Sequence, residues 1–294
     1  MVIFLSVGGQ TGNHLFQLAY MLSFRRKREY LITAGFGRAR KILSPDVRRF
    51  WINFESSVGR LAFARIIEPL LYHLLYRTGI ACSKFQTYGN DAGIAEKRGR
   101  LRCVTLVKGY FQSEAFHSGA MRVTFALRPG LMRQGRRVVE PSLQKGMDPV
   151  FIHVRRKDYL KAFPQAVLPD GYYQAAVSTL KKRIASPFFF IVGDDPEYAG
   201  RLFADLEPKA ISRSSAETDL AVMASCSAGI LSNSTFAWWG SGLHGQGGPY
   251  LAPYFWIGWR TREWNPAGIE KSRHLEFMSV PTGMETAGPP ELSH

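Results

Sequence analysis

Cysteine is scarce in this chain of 294 residues: Cys82, Cys103 and Cys226 are scattered and form no CxxC pair. That argues against a disulfide framework and a structural zinc site, and it suits a reducing compartment. No stretch of roughly 18 residues is apolar enough to span a bilayer. The opening "MVIFLSVGGQTGNHLFQLAYMLSF" is apolar but has no basic leader and carries Gly, Asn, Gln and His inside the run. It is therefore expected to be neither signal peptide nor membrane span, and the protein is expected to be soluble and cytoplasmic. Low-complexity tracts are absent, and 46% hydrophobic residues suit a globular fold. Acidic residues are outnumbered by basic ones, 23 against 38, for a formal charge of +15. Such an excess favours an anionic partner, whether nucleotide, nucleic acid or acidic membrane, although a solvated basic face also accounts for charge alone.

What is present divides into two parts. The first opens with a strand expected over 2–7, a glycine-rich turn, and a helical pattern from Asn13 to about Lys27 that puts Leu15, Phe16 and Ala19 on one face. Residues 59–78, "GRLAFARIIEPLLYHLLYRT", read as a second helix that Pro69 should kink or interrupt. Arg60, Arg65, His73 and Arg77 flank its apolar stripe; the stripe is either core or an interfacial surface for an anionic membrane. Another strand is expected within 103–113. The polar stretch after "LRPG" (127–130) is the best candidate for a boundary, giving an N-terminal α/β domain over 1–140 and a C-terminal one over 141–294. Beyond it, apolar runs at 149–154, 187–193 and 228–232 alternate with helical segments near 170–184, 196–206, 216–226 and 234–245. This alternation predicts an α/β fold with a parallel sheet covered on both faces, and in such sheets ligands sit at the carboxyl ends of the strands.

Those ends are chemically dense. The first is "HVRRKDY" (153–159), where Arg155 and Arg156 sit side by side. A guanidinium is a planar fork of donors that fits phosphate oxygens, and strand alternation sends neighbours to opposite faces, so one arginine can meet a ligand while the other pairs structurally. His153 is in phase with Arg155 and either contacts a nucleobase or is a hydrogen-bonded core histidine. The second end, "GDDP", offers Asp194 and Asp195. Two carboxylates suit metal, acid/base work, or the donor edge of guanine, and one alone would cap the next helix. With no second acidic cluster to complete a metal cage, base recognition is the preferred expectation and no metal is expected. The third, "SNST", places Ser232, Asn233, Ser234 and Thr235 before a helix whose free N–H groups and dipole can hold phosphate, where an ordinary N-cap needs only one such residue. The N-terminal "GGQTGN" is neither GxGxxG nor a P-loop, but Gly12 and Asn13 make a turn that backbone can bring close to a ligand.

Four segments together resemble the bacterial α-1,2-fucosyltransferases, glycosyltransferase family 11: "GQTGNHLFQ" (9–17), "HVRRKDY", "GDD" and "SNSTFAWWGSGL" (232–243). Smaller echoes are "GYFQSE" (109–114) and "TDLAVMASC" (218–226). The resemblance implies a GT-B-like fold of two facing Rossmann-like domains, the N-terminal one on the acceptor side and the C-terminal one holding the donor. It implies inverting transfer of L-fucose from GDP-β-L-fucose to the 2-hydroxyl of a galactose-containing glycan, with no obligatory metal and no other cofactor. It places Gly12, Asn13, His153, Arg155, Asp194, Asp195 and residues 232–235 at the donor, with Arg155 gripping the departing diphosphate. Asp158 is the candidate base or else a structural clamp for Arg156, and His14 and Glu114 are weaker alternatives. Gln10, Thr11, Gly193, Ala237 and Ser241–Gly242 depart from the commoner family residues and bear on acceptor choice more than on donor choice.

Two rival readings follow from the same residues. A GDP-sugar enzyme with another sugar or linkage keeps the donor site and differs in product. A basic nucleic-acid-binding protein needs clustered Lys/Arg with interleaved aromatics, whereas here the basic residues are spread and "SNSTFAWW" carries no positive charge. Nucleic acid is accordingly not expected as a partner. Peripheral contact with an anionic inner-membrane surface is expected only through the basic helix at 59–78.

Overall fold

The computed structural model describes residues 1–5, 9–88, 93–117, 126–243 and 248–281. The end of the strand expected over 2–7, Gly8 of the glycine turn and the last residues of the helix expected over 234–245 lie outside them. The chain divides into two compact units, Met1–Pro129 and Gly130–His294. The polar stretch after residue 130 begins the second unit as a helix, Pro129–Gln144, buried along Leu131, Gly135, Val139 and Ser142.

In the first unit, β1 (Val2–Phe4), β2 (Leu31–Ala34), β3 (Trp51–Phe54), β4 (Ala81–Gln86), β5 (Ile94–Lys97) and β6 (Leu101–Lys108) form one sheet in the order β3-β2-β1-β6-β4-β5. Every pairing is parallel except β4 with β5. Helix α1 (Thr11–Phe24) follows β1 and is buried through most of its length, which is why its sequence is apolar nearly all round. The run over 57–77 stays helical through Pro69: rather than breaking, it takes π-helical turns at Phe63–Ile67 and Tyr72–Arg77 on either side of a short α segment, Glu68–Leu71, in which proline stands near the start.

The second unit carries an all-parallel sheet, β12-β11-β10-β7-β8-β9. Its strands are β7 (Asp148–Val154), β8 (Pro187–Gly193), β9 (Lys209–Ile211), β10 (Ala228–Ile230), β11 (Tyr250–Pro253) and β12 (Glu276–Met278). Strand β7 is buried from Pro149 to Val154, as a strand covered on both faces must be, and His153 is the polar side chain within that run. On one face Val150, Ile152 and Val154 pack with Tyr172, Tyr173 and Leu180 of the helix Asp170–Arg183. On the other, Phe151 lies beside Tyr250, ring centroids 5.9 Å apart. Gly229 is the register partner of Phe151, and a Cβ there would come within 2.3 Å of the ring. Gly229→Ala is expected to lower stability by about 1–3 kcal/mol through overpacking, read as a lower denaturant midpoint at unchanged slope.

The strand order reverses direction between β7 and β10, and in the first unit between β1 and β6. Open α/β sheets bind ligands outside the carboxyl ends of strands at such points. In the second unit these are the ends that carry "HVRRKDY" and "SNST".

Candidate functional site

Arg155 and Arg156 leave the end of β7 and enter a short helix, Lys157–Ala162. On the adjacent strand β8 the register runs Val154 against Gly193, which brings Asp194 alongside. The two motifs interlock. Arg155 pairs with Asp158 through its terminal nitrogen, and its Nε lies 3.6 Å from Asp194 Oδ2. Arg156 Nη1 lies 3.3 Å from Asp195 Oδ2, its guanidinium 4.4 Å over the Tyr198 ring. Asp194 Oδ1 also accepts the Arg156 backbone N–H at 2.8 Å. Burial raises the Asp194 pKa, against the pull of that N–H and of Arg155. Two guanidiniums thus face three carboxylates in a half-buried cluster. Asp195 also caps the helix Pro196–Leu202, accepting the Tyr198 N–H at 3.2 Å.

The remaining candidates divide by burial. His153 is 2% exposed, and its Nδ1 lies 2.7 Å from the buried Ser232 Oγ. Burial, assisted by the Arg155 charge, pushes its pKa down to about 3, so the ring is neutral. Of the two sequence readings for His153, this is the hydrogen-bonded buried histidine. Asn233, 1% exposed, donates through Nδ2 to the Ala166 carbonyl at 2.7 Å and the Trp256 carbonyl at 3.4 Å. Ser234 is the N-cap of the helix Thr235–Gly242, accepting from the Phe236 N–H. Thr235, half-buried, opens that helix. Tyr159 ties the two strand ends together: its hydroxyl donates to the Asn233 carbonyl at 3.0 Å, its ring lies 5.9 Å from the Arg155 guanidinium, and burial pushes its phenol up to about 12. Sequence reasoning passes over Tyr159, although it is the last residue of the "HVRRKDY" motif.

The second unit therefore brings together His153, Arg155, Asp158, Asp194, Asp195 and residues 232–235. Gly12 and Asn13 belong to the first unit, where they form the first turn of α1 at the end of β1. Asn13 Oδ1 accepts from Gln112 Nε2 at 2.8 Å, linking the α1 turn to the segment that follows β6. Gly9 is required beside it, since its φ is +114° and a Cβ would meet the Asn13 side chain at 2.7 Å. His14 stacks on Phe36 with centroids 4.2 Å apart, and burial holds its pKa down at about 4. Glu114 lies in a short 3₁₀ turn, Glu114–Phe116. Among the described residues, no three His, Cys, Asp or Glu side chains gather as metal ligands would.

Several glycosyltransferases are similar to this chain. An α-1,2-colitosyltransferase of Escherichia coli is 30% identical over 118 residues, 37% of this chain and 41% of that protein. The O-antigen biosynthesis glycosyltransferase WbnK of Escherichia coli is 25% identical over 81% of this chain and 89% of its own length. The bovine galactoside 2-alpha-L-fucosyltransferase SEC1 is 31% identical over 38% of this chain and 33% of its own. The first and third alignments thus span well under two thirds of those relatives. Among solved structures, a glycosyl transferase family 9 protein from Veillonella parvula superposes with a TM-score of 0.53 at 10% identity, covering 95% of this chain and 86% of that one. That likeness shows the fold, two α/β units of the GT-B type. A sequence profile described as glycosyl transferase family 11 matches residues 110–263, more than half of the chain and the whole of the interlocked cluster, and the chain belongs to that family.

Proposed function

We propose that the protein transfers L-fucose from GDP-β-L-fucose to the 2-hydroxyl of a galactose-containing glycan, with inversion, and that the second unit holds the donor while the first serves the acceptor. The observation that carries this reading is the pair of strand ends flanking the β7/β10 reversal, one with Arg155 held in place and the other opening a helix with Ser234 and Thr235. The bovine relative's name supplies the sugar and linkage. Breaking the sugar–phosphate bond leaves positive character on the ring and negative charge on GDP, while the acceptor 2-hydroxyl forms the new C–O bond and gives up its proton to the departing diphosphate. Arg155 and the N–H groups at the start of the helix Thr235–Gly242 stabilise that charge where it develops.

Asp158 acts in this scheme as a clamp: its carboxylate is committed to Arg155, fixing the guanidinium fork before substrate arrives. Asp194 completes the clamp from β8 through the Arg155 Nε, and the diphosphate competes with it for that guanidinium. His153, neutral and bonded to Ser232, holds the two strand ends in register. The colitosyltransferase relative supports one second reading, the same GDP site with a related deoxy sugar.

A calorimetric titration with GDP in excess EDTA tests the nucleotide. GDP is expected to bind at least tenfold more tightly than UDP or ADP, and binding should collapse in Arg155→Ala. Equal binding of the three nucleotides removes the donor assignment. Linkage analysis of product from a galactoside, with GDP-fucose and GDP-colitose in competition, then separates the two sugars.

A further inference from the structure

The helical run over 57–77 has two faces of unexpected similarity. One packs on the first sheet: Phe63 is 1% exposed, and Leu71, Leu75 and Tyr76 sit against the cluster of Ile3, Val104 and Leu106. The opposite face of a surface helix ordinarily carries charge. Here it carries Val58, Ile66, Leu70 and Leu74, which are 79%, 65%, 57% and 57% exposed. The π-helical turns help to align them. An α-helix turns in roughly 3.6 residues, so side chains four apart drift around it. The wider i→i+5 turns at Phe63–Ile67 and Tyr72–Arg77 offset that drift and keep the stripe straight.

The surroundings of the stripe are basic. Arg65, His73 and Arg77 are exposed on the run itself, whose sole acidic residue is Glu68. (The side chain of Arg60 lies outside the described residues.) The segment that leads into β6 pairs with the residues just after the run, its Arg100 and Leu101 N–H groups donating to the Gly79 and Ile80 carbonyls at 3.0 and 2.7 Å. It adds exposed Arg100 and Arg102, and Leu101 is 48% exposed between them. Tyr72 and Tyr76 stack at 4.9 Å, and Lys97 Nζ lies 5.6 Å from the Tyr76 ring.

We propose that this face seats the first unit on a bilayer surface rich in anionic phospholipid, with the helix lying in the interface plane. Charge complementarity selects that occupant. A second copy of the chain would bring one basic rim against another across a twofold contact, whereas anionic headgroups meet the rim while the stripe enters the acyl boundary. Among the described residues no helix is long and apolar enough to cross a membrane, so the run lies on the bilayer rather than spanning it. The face has this role whichever sugar or nucleotide the second unit holds.

The test is co-sedimentation of the full chain with vesicles of phosphatidylcholine alone and of phosphatidylcholine with phosphatidylglycerol. Binding is expected only to the anionic vesicles and should weaken as salt rises. Each basic side chain near an anionic surface accounts for about a fivefold gain in affinity, so Arg65→Gln with Arg77→Gln is expected to lose about thirtyfold. The triple variant Ile66→Ser, Leu70→Ser, Leu74→Ser should lose binding with its denaturation midpoint retained. Equal binding to both vesicle types, or binding unaffected by either variant, overturns the proposal. So does failure to bind vesicles together with a dimer in sedimentation velocity that the triple variant disperses, which would make the face a self-association surface.

Discussion

Replacing Arg155 with alanine is expected to lower turnover with saturating GDP-fucose about 10²–10³-fold, the usual loss when one donor to a developing anion is removed. Two things matter: where the guanidinium stands and what holds it. It lies at the carboxyl end of β7, beside the strand reversal, and is gripped from its own short helix by Asp158 and from β8 by Asp194. The two carboxylates hold the fork at the strand end before any ligand arrives. Removing it also leaves Asp158 and Asp194 without that partner, so some loss of stability accompanies the loss of rate. The two effects separate experimentally: turnover is measured well below the unfolding midpoint, and Arg155→Lys keeps the charge while losing the planar fork. Lysine is expected to recover part of the stability and little of the rate. Arg156→Ala should do the reverse of Arg155→Ala, costing stability through Asp195 and the Tyr198 ring with a smaller change in rate. Should Arg155→Ala retain full turnover per folded molecule, the leaving-group role is wrong and the arginine is only a strut.

The long buried elements were legible because their patterns are redundant. Strand β8 is apolar without interruption, and β7 is broken within its buried run only by His153. The helices Asp170–Arg183 and Pro196–Leu202 begin where periodicity puts them, whereas the short helix Lys157–Ala162 has too few residues to show a period. Strands of three or four residues, such as β2, β3, β9 and β12, carry too few alternations to stand apart from loop. At the candidate site, sequence located the strand ends and missed their pairing. Alternation says that Arg155 and Arg156 diverge, but which neighbour each meets depends on register between β7 and β8, a long-range quantity. With Val154 opposite Gly193, the basic pair and the acidic pair become each other's partners, so the carboxylates expected to face guanine are engaged with arginine. Two adjacent parallel strands ending together in "RR" and "DD" is the signal that could have revealed this. Pro69 is a different case. It stands near the start of the short α segment Glu68–Leu71, and the run changes hydrogen-bond step on either side of it instead of stopping.

Asp219 marks a place where the fold carries an electrostatic cost, and removing its charge is expected to stabilise the protein above neutral pH. The residue is 7% exposed in the first turn of the helix Ala216–Met223, and its carboxylate accepts a hydrogen bond from Ser212 Oγ at 2.5 Å. Burial raises its pKa from 3.8 to about 6, with the Ser212 bond pulling the other way. The sign follows from the order of ionisation. Below pH about 4 both folded and unfolded chains hold the proton, and the group is neutral to stability. As pH rises, the unfolded chain releases its proton first, so folding loses free energy until the folded carboxyl ionises near 6; beyond that the loss is complete. A shift of this size is worth about 3 kcal/mol. Other carboxylates move oppositely: Glu276, lowered mainly by its hydrogen bond with Arg183, contributes stability that is present above about pH 4.5 and lost on further acidification. The informative quantity is therefore the difference between wild type and Asp219→Asn, followed by denaturant titration from pH 4 to pH 8. It should shift in favour of asparagine by about 2.5 kcal/mol across that interval, the unfolded carboxyl being already half ionised near pH 4, and level off above about pH 7. Any fixed cost of burying the extra amide hydrogens adds an offset without a slope. A difference that stays flat would mean that the folded carboxylate ionises as freely as the unfolded one, and that solvent reaches Asp219 in spite of its burial.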